Sequence, residues 1–198
     1  MLISFKSIPP FKVDDFIRQH GPRRKRRLTY YKDTLDKLIA EATELVKPTA
    51  VTHTFSPTEL PQISLYLPSA EKITLSICTI GAKLDAEASA RFQDEPLEGM
   101  MLDQIGAEWI KGIARELYGR LRQQAHADGF KTSPSYRPGI GKWPLELQKE
   151  IGRQLPLDTV GIMLNDSATM LPAKSISMIV AQGKQLTRSK FAPTSLPS

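Results

Sequence analysis

The chain has 198 residues, 40% of them hydrophobic and 24% charged, a balance that suits one globular domain with a core of its own. No apolar run reaches the about 18 residues that suggest a membrane span, and MLISFKSIPPF lacks the apolar length and cleavage pattern of a signal peptide. A cytoplasmic location without membrane contact is therefore expected. Cys78 is the only cysteine, which excludes an intrachain disulfide, an all-cysteine zinc site and a cysteine-ligated iron–sulfur cluster.

In chain order, the first expected element is a helix over residues 12–20, with Val13, Phe16 and Ile17 on one face. The net charge of +6 is then concentrated in one block, Arg23, Arg24, Lys25, Arg26 and Arg27, directly after Gly21 and Pro22. Such a block is either a solvated loop or an electrostatic patch for an acidic protein, a phosphate-bearing ligand or a nucleic acid. Nucleic acid is disfavoured, because no aromatic platform or reading motif accompanies the block. A second helix is expected over 31–47, where Leu35, Leu38, Ile39, Ala42 and Leu45 have core spacing and Pro48 is the stop.

Strands are expected at Ala50–Phe55, Ile63–Leu67 and Ile73–Thr79. In the last, Ile73, Leu75 and Ile77 alternate with Thr74, Ser76 and Cys78, the pattern of a half-buried strand, and Cys78 reads as a buried thiol. A helix follows from about Ala82 to Phe92, and the longest covers about 97–126. Its stripe, Leu97, Met101, Ile105, Trp109, Ile113, Leu117 and Leu121, recurs every four residues and is widened by Leu102 and Ile110. Gly106 and Gly112 each cost this helix about 1 kcal/mol of propensity, which points to close packing there. Asp128-Gly129 is its stop.

A proline-glycine loop then opens onto an amphipathic helix in PGIGKWPLELQKEIG (Pro138–Gly152), with Pro144 in the first turn and Leu145, Leu147 and Ile151 behind it. Val160–Leu164 and Ser175–Ala181 are expected strands, separated by a turn containing Met170, Leu171 and Pro172. His20, His53 and His126 are scattered without ligand spacing, so no metal site is expected. The order of elements defines an α+β single domain with a mainly antiparallel twisted sheet and flanking helices. Residues 1–48 read as a helical arm carrying the basic loop, 49–185 as the core, and 186–198 as a disordered tail.

Three segments in this order, ICTIGAKLDAEASARFQDEPLEGMMLDQIGAEWI (Ile77–Ile110), PGIGKWPLELQKEIG and LNDSATMLPAKSIS, resemble the activation domain of cobalamin-dependent methionine synthase in a stand-alone form. The resemblance spans roughly residues 70–182. It implies a domain that binds S-adenosylmethionine in a shallow groove and presents it to a corrinoid held elsewhere, when cob(I)alamin has been oxidised to an inactive cobalt(II) form. The electron comes from a redox protein such as flavodoxin, so the implied role is positioning, as an accessory to a methyltransferase.

Within the resemblance Pro138, Gly139, Gly141, Trp143, Pro144, Met170, Pro172, Ser175 and Ser177 are kept. Ser135 stands where the family usually has an arginine for the ligand's carboxylate, with Arg137 two residues on. Ile140 replaces a tyrosine, for which Tyr136 is the substitute, and Lys111 replaces a glutamate, with Glu108 and Glu116 a turn away. The implied ligand contacts are thus Tyr136, Arg137, Pro138, Gly139, Ile140, Gly141, Met170, Pro172 and Ser175. The implied partner is a cobalamin-binding methionine synthase or other corrinoid protein, with Arg23–Arg27 facing an acidic redox protein. The departures keep a second reading open, a non-catalytic adaptor that docks a corrinoid protein or methyltransferase without S-adenosylmethionine. A conventional methyltransferase does not fit, because no alternating parallel unit with a glycine-rich loop is present.

Overall fold

The computed structural model describes residues 1–5, 13–18, 26 and 29–186. The chain forms β1 (Leu2–Ser4), α1 (Val13–Arg18), α2 (Lys32–Leu45), β2 (Thr49–Phe55), α3 (Pro61–Ser64) and β3 (Lys72–Thr79). Then come α4 (Lys83–Asp94), α5 (Pro96–Ala127), β4 (Lys131–Thr132), α6 (Leu147–Gln154), the hairpin strands β5 (Met163–Leu164) and β6 (Met170–Leu171), and β7 (Ser175–Gly183). The main sheet has the order β1-β2-β3-β7-β4 with every neighbour antiparallel, which is the α+β architecture the element order predicts.

Strand alternation divides the core into two clusters, one on each side of the sheet. On one side Ala50, Cys78 and Met178 pack under α1, α2, α4 and α5, against Val13, Ile17, Leu35, Leu38 and the α5 stripe. On the other, Val51, Ile73, Leu75, Ile77, Ile179 and Ala181 meet Leu60, Ile63, Leu67, Trp143, Leu147 and Ile151. Met101, Leu102, Ile105, Trp109, Ile110, Ile113 and Leu117 of α5 are buried as their spacing predicts. Each fully buried aliphatic side chain contributes about 1.5–3 kcal/mol. Among the described residues no helix is long and apolar enough to cross a membrane.

Four expectations are corrected. The half-buried strand is buried on both faces. Its polar residues are tied by hydrogen bonds: Thr52 and Ser76 hydroxyls lie 2.9 Å apart, those of Thr54 and Thr74 2.8 Å apart, and Gln182 Nε2 donates to Thr74 Oγ1 at 2.7 Å. A satisfied hydroxyl can occupy the interior, so alternation in polarity did not report exposure. The expected strand Ile63–Leu67 is instead the short helix α3 and a turn. Pro61 is a first-turn residue, and Leu60, Ile63 and Leu67 are buried while Leu65 is 73% exposed, a helical spacing rather than period two. The strand expected over Val160–Leu164 shrinks to Met163–Leu164, preceded by a 3-10 turn at Leu157–Val160 and left-handed Gly161. Pro144 lies in a lead-in turn before α6, with Leu147 N donating to Pro144 O at 3.3 Å, and Leu145 is exposed. The edge strands β1 and β4 are too short to leave a periodic signal.

Candidate functional site

The segment from Ser133 to Trp143 is an extended run that turns sharply into α6. Tyr136 makes two backbone bonds with Ile179 of β7, at 2.9 and 2.8 Å, and Ser133 N donates to Ala181 O at 2.9 Å. The turn then closes on itself, with Gly139 N donating to Trp143 O at 2.8 Å and Ile140 N to Arg137 O at 3.2 Å. Gly139 (φ 79°) and Gly141 (φ 63°) are left-handed, the conformation that favours glycine at both positions. Trp143 is buried and holds the loop down: its ring stacks on Tyr136 (4.5 Å, 22°) and lies 5.2 Å from Tyr66.

Alternation about the Tyr136 bridge separates two of the predicted contacts. Tyr136 packs with Trp143 in the second cluster, and burial, aided by the neighbouring Tyr118 phenol, pushes its own phenol above the ordinary value. Arg137 faces the opposite side, toward α5, where its charge acts on Cys78. Burial pushes that thiol up to about 12, against the opposing effect of Arg137. Thr132 pairs with Gln182 but Tyr136 with Ile179, so the run holds one extra residue, a bulge just before Tyr136 that includes the Ser135 region and interrupts the strand alternation there.

Two contacts fix how α5 lies along β7. Near its start, Asp103 takes a 2.5 Å ion pair from Lys174, the residue before β7. Further on, Tyr118 Oη donates to Ser133 O at 2.8 Å, beside Ala181. With rises of about 1.5 Å per helical and about 3.3 Å per strand residue, both spans are roughly 23 Å, so helix and strand keep pace. The same rises place Arg137 beside α5 at about residue 112, next to Lys111. Lys111 is exposed and paired with the partly buried Glu108 at 2.8 Å, and Glu116 is paired with Arg120.

The other predicted contacts lie elsewhere. Ile140 is 59% exposed at the loop tip, and Pro138 is buried beneath it. Met170 is partly buried in the second cluster. Pro172 follows a cis peptide bond and its carbonyl accepts the Ser175 hydroxyl at 2.8 Å. Ser175 is about 13 Å along β7 from Ile179, so the structure does not gather the two loops into one small site. Of the basic block, Arg26 is exposed and Arg23, Arg24, Lys25 and Arg27 lie outside the described residues.

Sequence reasoning passed over Gln148. Its buried amide donates to Ala168 O (2.8 Å) and accepts from Ser177 Oγ (2.7 Å), joining α6, the β5–β6 hairpin and β7. A lone glutamine on an amphipathic helix carries no signal of this. Lys174 was likewise missed. Burial alone would depress its ammonium, but Asp103 and Asp85 outweigh that and hold it above its ordinary value, fastening the 172–174 turn to α4 and α5.

The sheet order, the long helix packed along β7 and the glycine loop define a reactivation-domain-like α+β fold. Among solved structures, the chain resembles the reactivation domain of MetH bound to AdoHcy, with 18% identity over 84% of this chain and 68% of that one and a TM-score of 0.59. No family model and no curated protein matches the chain.

Proposed function

We propose that the chain binds S-adenosylmethionine in the groove between α5 and residues 135–137 and presents it, as a separate subunit, to a corrinoid held by a cobalamin-dependent methyltransferase such as methionine synthase. The observation that carries this reading is Arg137, whose charge acts on Cys78 in the cluster under α5, on a fold shared with a domain solved with AdoHcy. S-adenosylmethionine supplies the methyl group; the chain's own task is to hold and orient it.

The side chains present suit a ligand that has both a carboxylate and an ammonium. Arg137 offers charge-assisted hydrogen bonds to the carboxylate. Glu108 is held by Lys111 in a partly exposed ion pair, worth about 0–1 kcal/mol, so exchanging Lys111 for the ligand's ammonium costs little. The Trp143 stack and the Gly139 bond fix the loop before ligand arrives, which limits the entropy lost on binding. Exposed Ile140 faces outward at the loop tip, where a corrinoid partner would approach. Tyr136, Met170, Pro172 and Ser175 act in this reading as supports of the groove's walls. The block Arg23–Arg27 serves to attract an acidic redox protein, a rate effect screened by salt, in the cytoplasm.

Isothermal titration with S-adenosylmethionine tests the proposal. Binding is expected, and Arg137→Ala is expected to weaken it about 10- to 100-fold, the loss of a charged hydrogen bond. No binding at millimolar ligand would overturn the methyl-donor role. Recovery of a corrinoid protein in that case would favour a docking adaptor.

A further inference from the structure

Adjoining the groove at Arg137, with which it shares Ser135, the C-terminal half of α5 and the segment from Phe130 to Ser135 enclose an open cavity of about 1010 Å³. Its ionisable lining is basic, among uncharged polar residues such as Gln123 and Thr132. Arg122, His126 and Lys131 contribute side chains, no carboxylate lines the cavity, and among the described residues none of the three has an ion-pair partner. By comparison, Arg91, Lys111 and Arg120 of the same two helices are paired with carboxylates. Apolar surface is present too: Phe130, held from one side by Lys72 Nζ 4.5 Å from its ring centre, together with Pro134 and Leu186.

A second, independent observation is Gly119. It lies inside α5, lines the cavity, and a Cβ built on it would meet nothing within 4 Å. A helix-interior glycine costs about 1 kcal/mol relative to alanine. At Gly99 and Gly106 of α5 the cost has a packing reason, since a Cβ on Gly99 would lie 2.6 Å from Phe92 N and one on Gly106 3.0 Å from Leu84 Cδ2. At Gly119 the chain itself offers none. The space that a side chain would fill is the cavity.

We propose that this cavity is a binding site for a small organic phosphate, its phosphate held by Arg122 and Lys131 and its body lying in the space kept open by Gly119. Arginine and lysine are the side chains suited to phosphate, and a volume of this order matches a ligand larger than the anion alone. The proposal does not rest on the S-adenosylmethionine reading.

Titration calorimetry with adenosine 5′-diphosphate as probe and adenosine as control tests it. The diphosphate is expected to bind at least tenfold more tightly than adenosine. Arg122→Ala combined with Lys131→Ala should weaken it tenfold or more. Gly119→Leu should abolish binding while raising the melting temperature, which separates filling of the cavity from failure to fold. No binding of the diphosphate at millimolar concentration, or binding unchanged in Gly119→Leu, would overturn the site. S-adenosylmethionine is titrated against the same variant. Unchanged affinity is expected, and its loss would make the cavity part of the Arg137 groove and overturn a separate site.

Discussion

A Cβ added to Gly99 would lie 2.6 Å from the Phe92 backbone nitrogen, whereas one added to Gly119 would have empty space around it, on the same helix. The first marks where α4 and α5 cross at backbone contact, and no side-chain rotation relieves it. Gly99→Ala is therefore expected to destabilise the protein by about 1–3 kcal/mol. Gly119→Ala should stabilise it by about 0.5–1 kcal/mol. Urea denaturation of both variants checks the signs. Cys78 gives a second residue-scale prediction. Burial raises its thiol from 9.0 in the unfolded reference to about 12, so between these values the unfolded chain releases its proton first. Its contribution to stability is complete below about pH 9 and is lost as pH rises toward 12, with a slope of up to about 1.4 kcal/mol per pH unit. Cys78→Ala should flatten that alkaline limb in chemical denaturation, and a limb of unchanged slope would refute the assignment. The burial of Cys78 was readable from its apolar neighbours. The roles of Gly99 and Gly119 were not, because a glycine in a helical pattern looks the same whether it faces another backbone or a cavity.

At the scale of elements, Arg91 on α4 joins three helices. Its guanidinium meets Glu98 of α5 and Glu87 of its own helix, both at 2.8 Å, and Glu41 of α2 at 3.2 Å. Glu98 and Glu87, and then Glu41 against the opposing effect of burial, hold the guanidinium above its ordinary value. A single exposed pair is worth about 0–1 kcal/mol, but removing Arg91 leaves three carboxylates facing one another. Arg91→Ala is expected to cost about 1–2 kcal/mol and to lower the melting temperature more at low than at high salt. An equal loss at both would point to lost packing instead. Long elements were legible for a plain reason. The nine-residue apolar set of α5 repeats often enough to define a period, whereas Leu60, Ile63 and Leu67 span barely two turns. There a strand and a helix make the same apolar clusters, and only Pro61 hinted at the helix. The 3-10 turn before β5 was hidden likewise, since Val160 and Ile162 are buried by tertiary contact and not by strand pairing.

For the molecule as a whole, residues distant in sequence meet along β7. It pairs with β3 on one side and with β4 and Tyr136 on the other, and α5 runs beside it. The amino-acid sequence by itself determined the α+β class, the long amphipathic helix, the buried thiol and the glycine loop. These depend on local period and on conformations that individual residues allow. The tertiary structure alone decided that Tyr136 and Arg137 face opposite sides of the sheet, because that follows from the bridge to Ile179, which no local pattern encodes. It also decided that Arg122 of α5 and Lys131 of β4 share one cavity and that Gln148 links α6, the hairpin and β7. Such placements depend on strand register and on the run of one helix along a sheet, long-range contacts whose partners leave no spacing in the sequence.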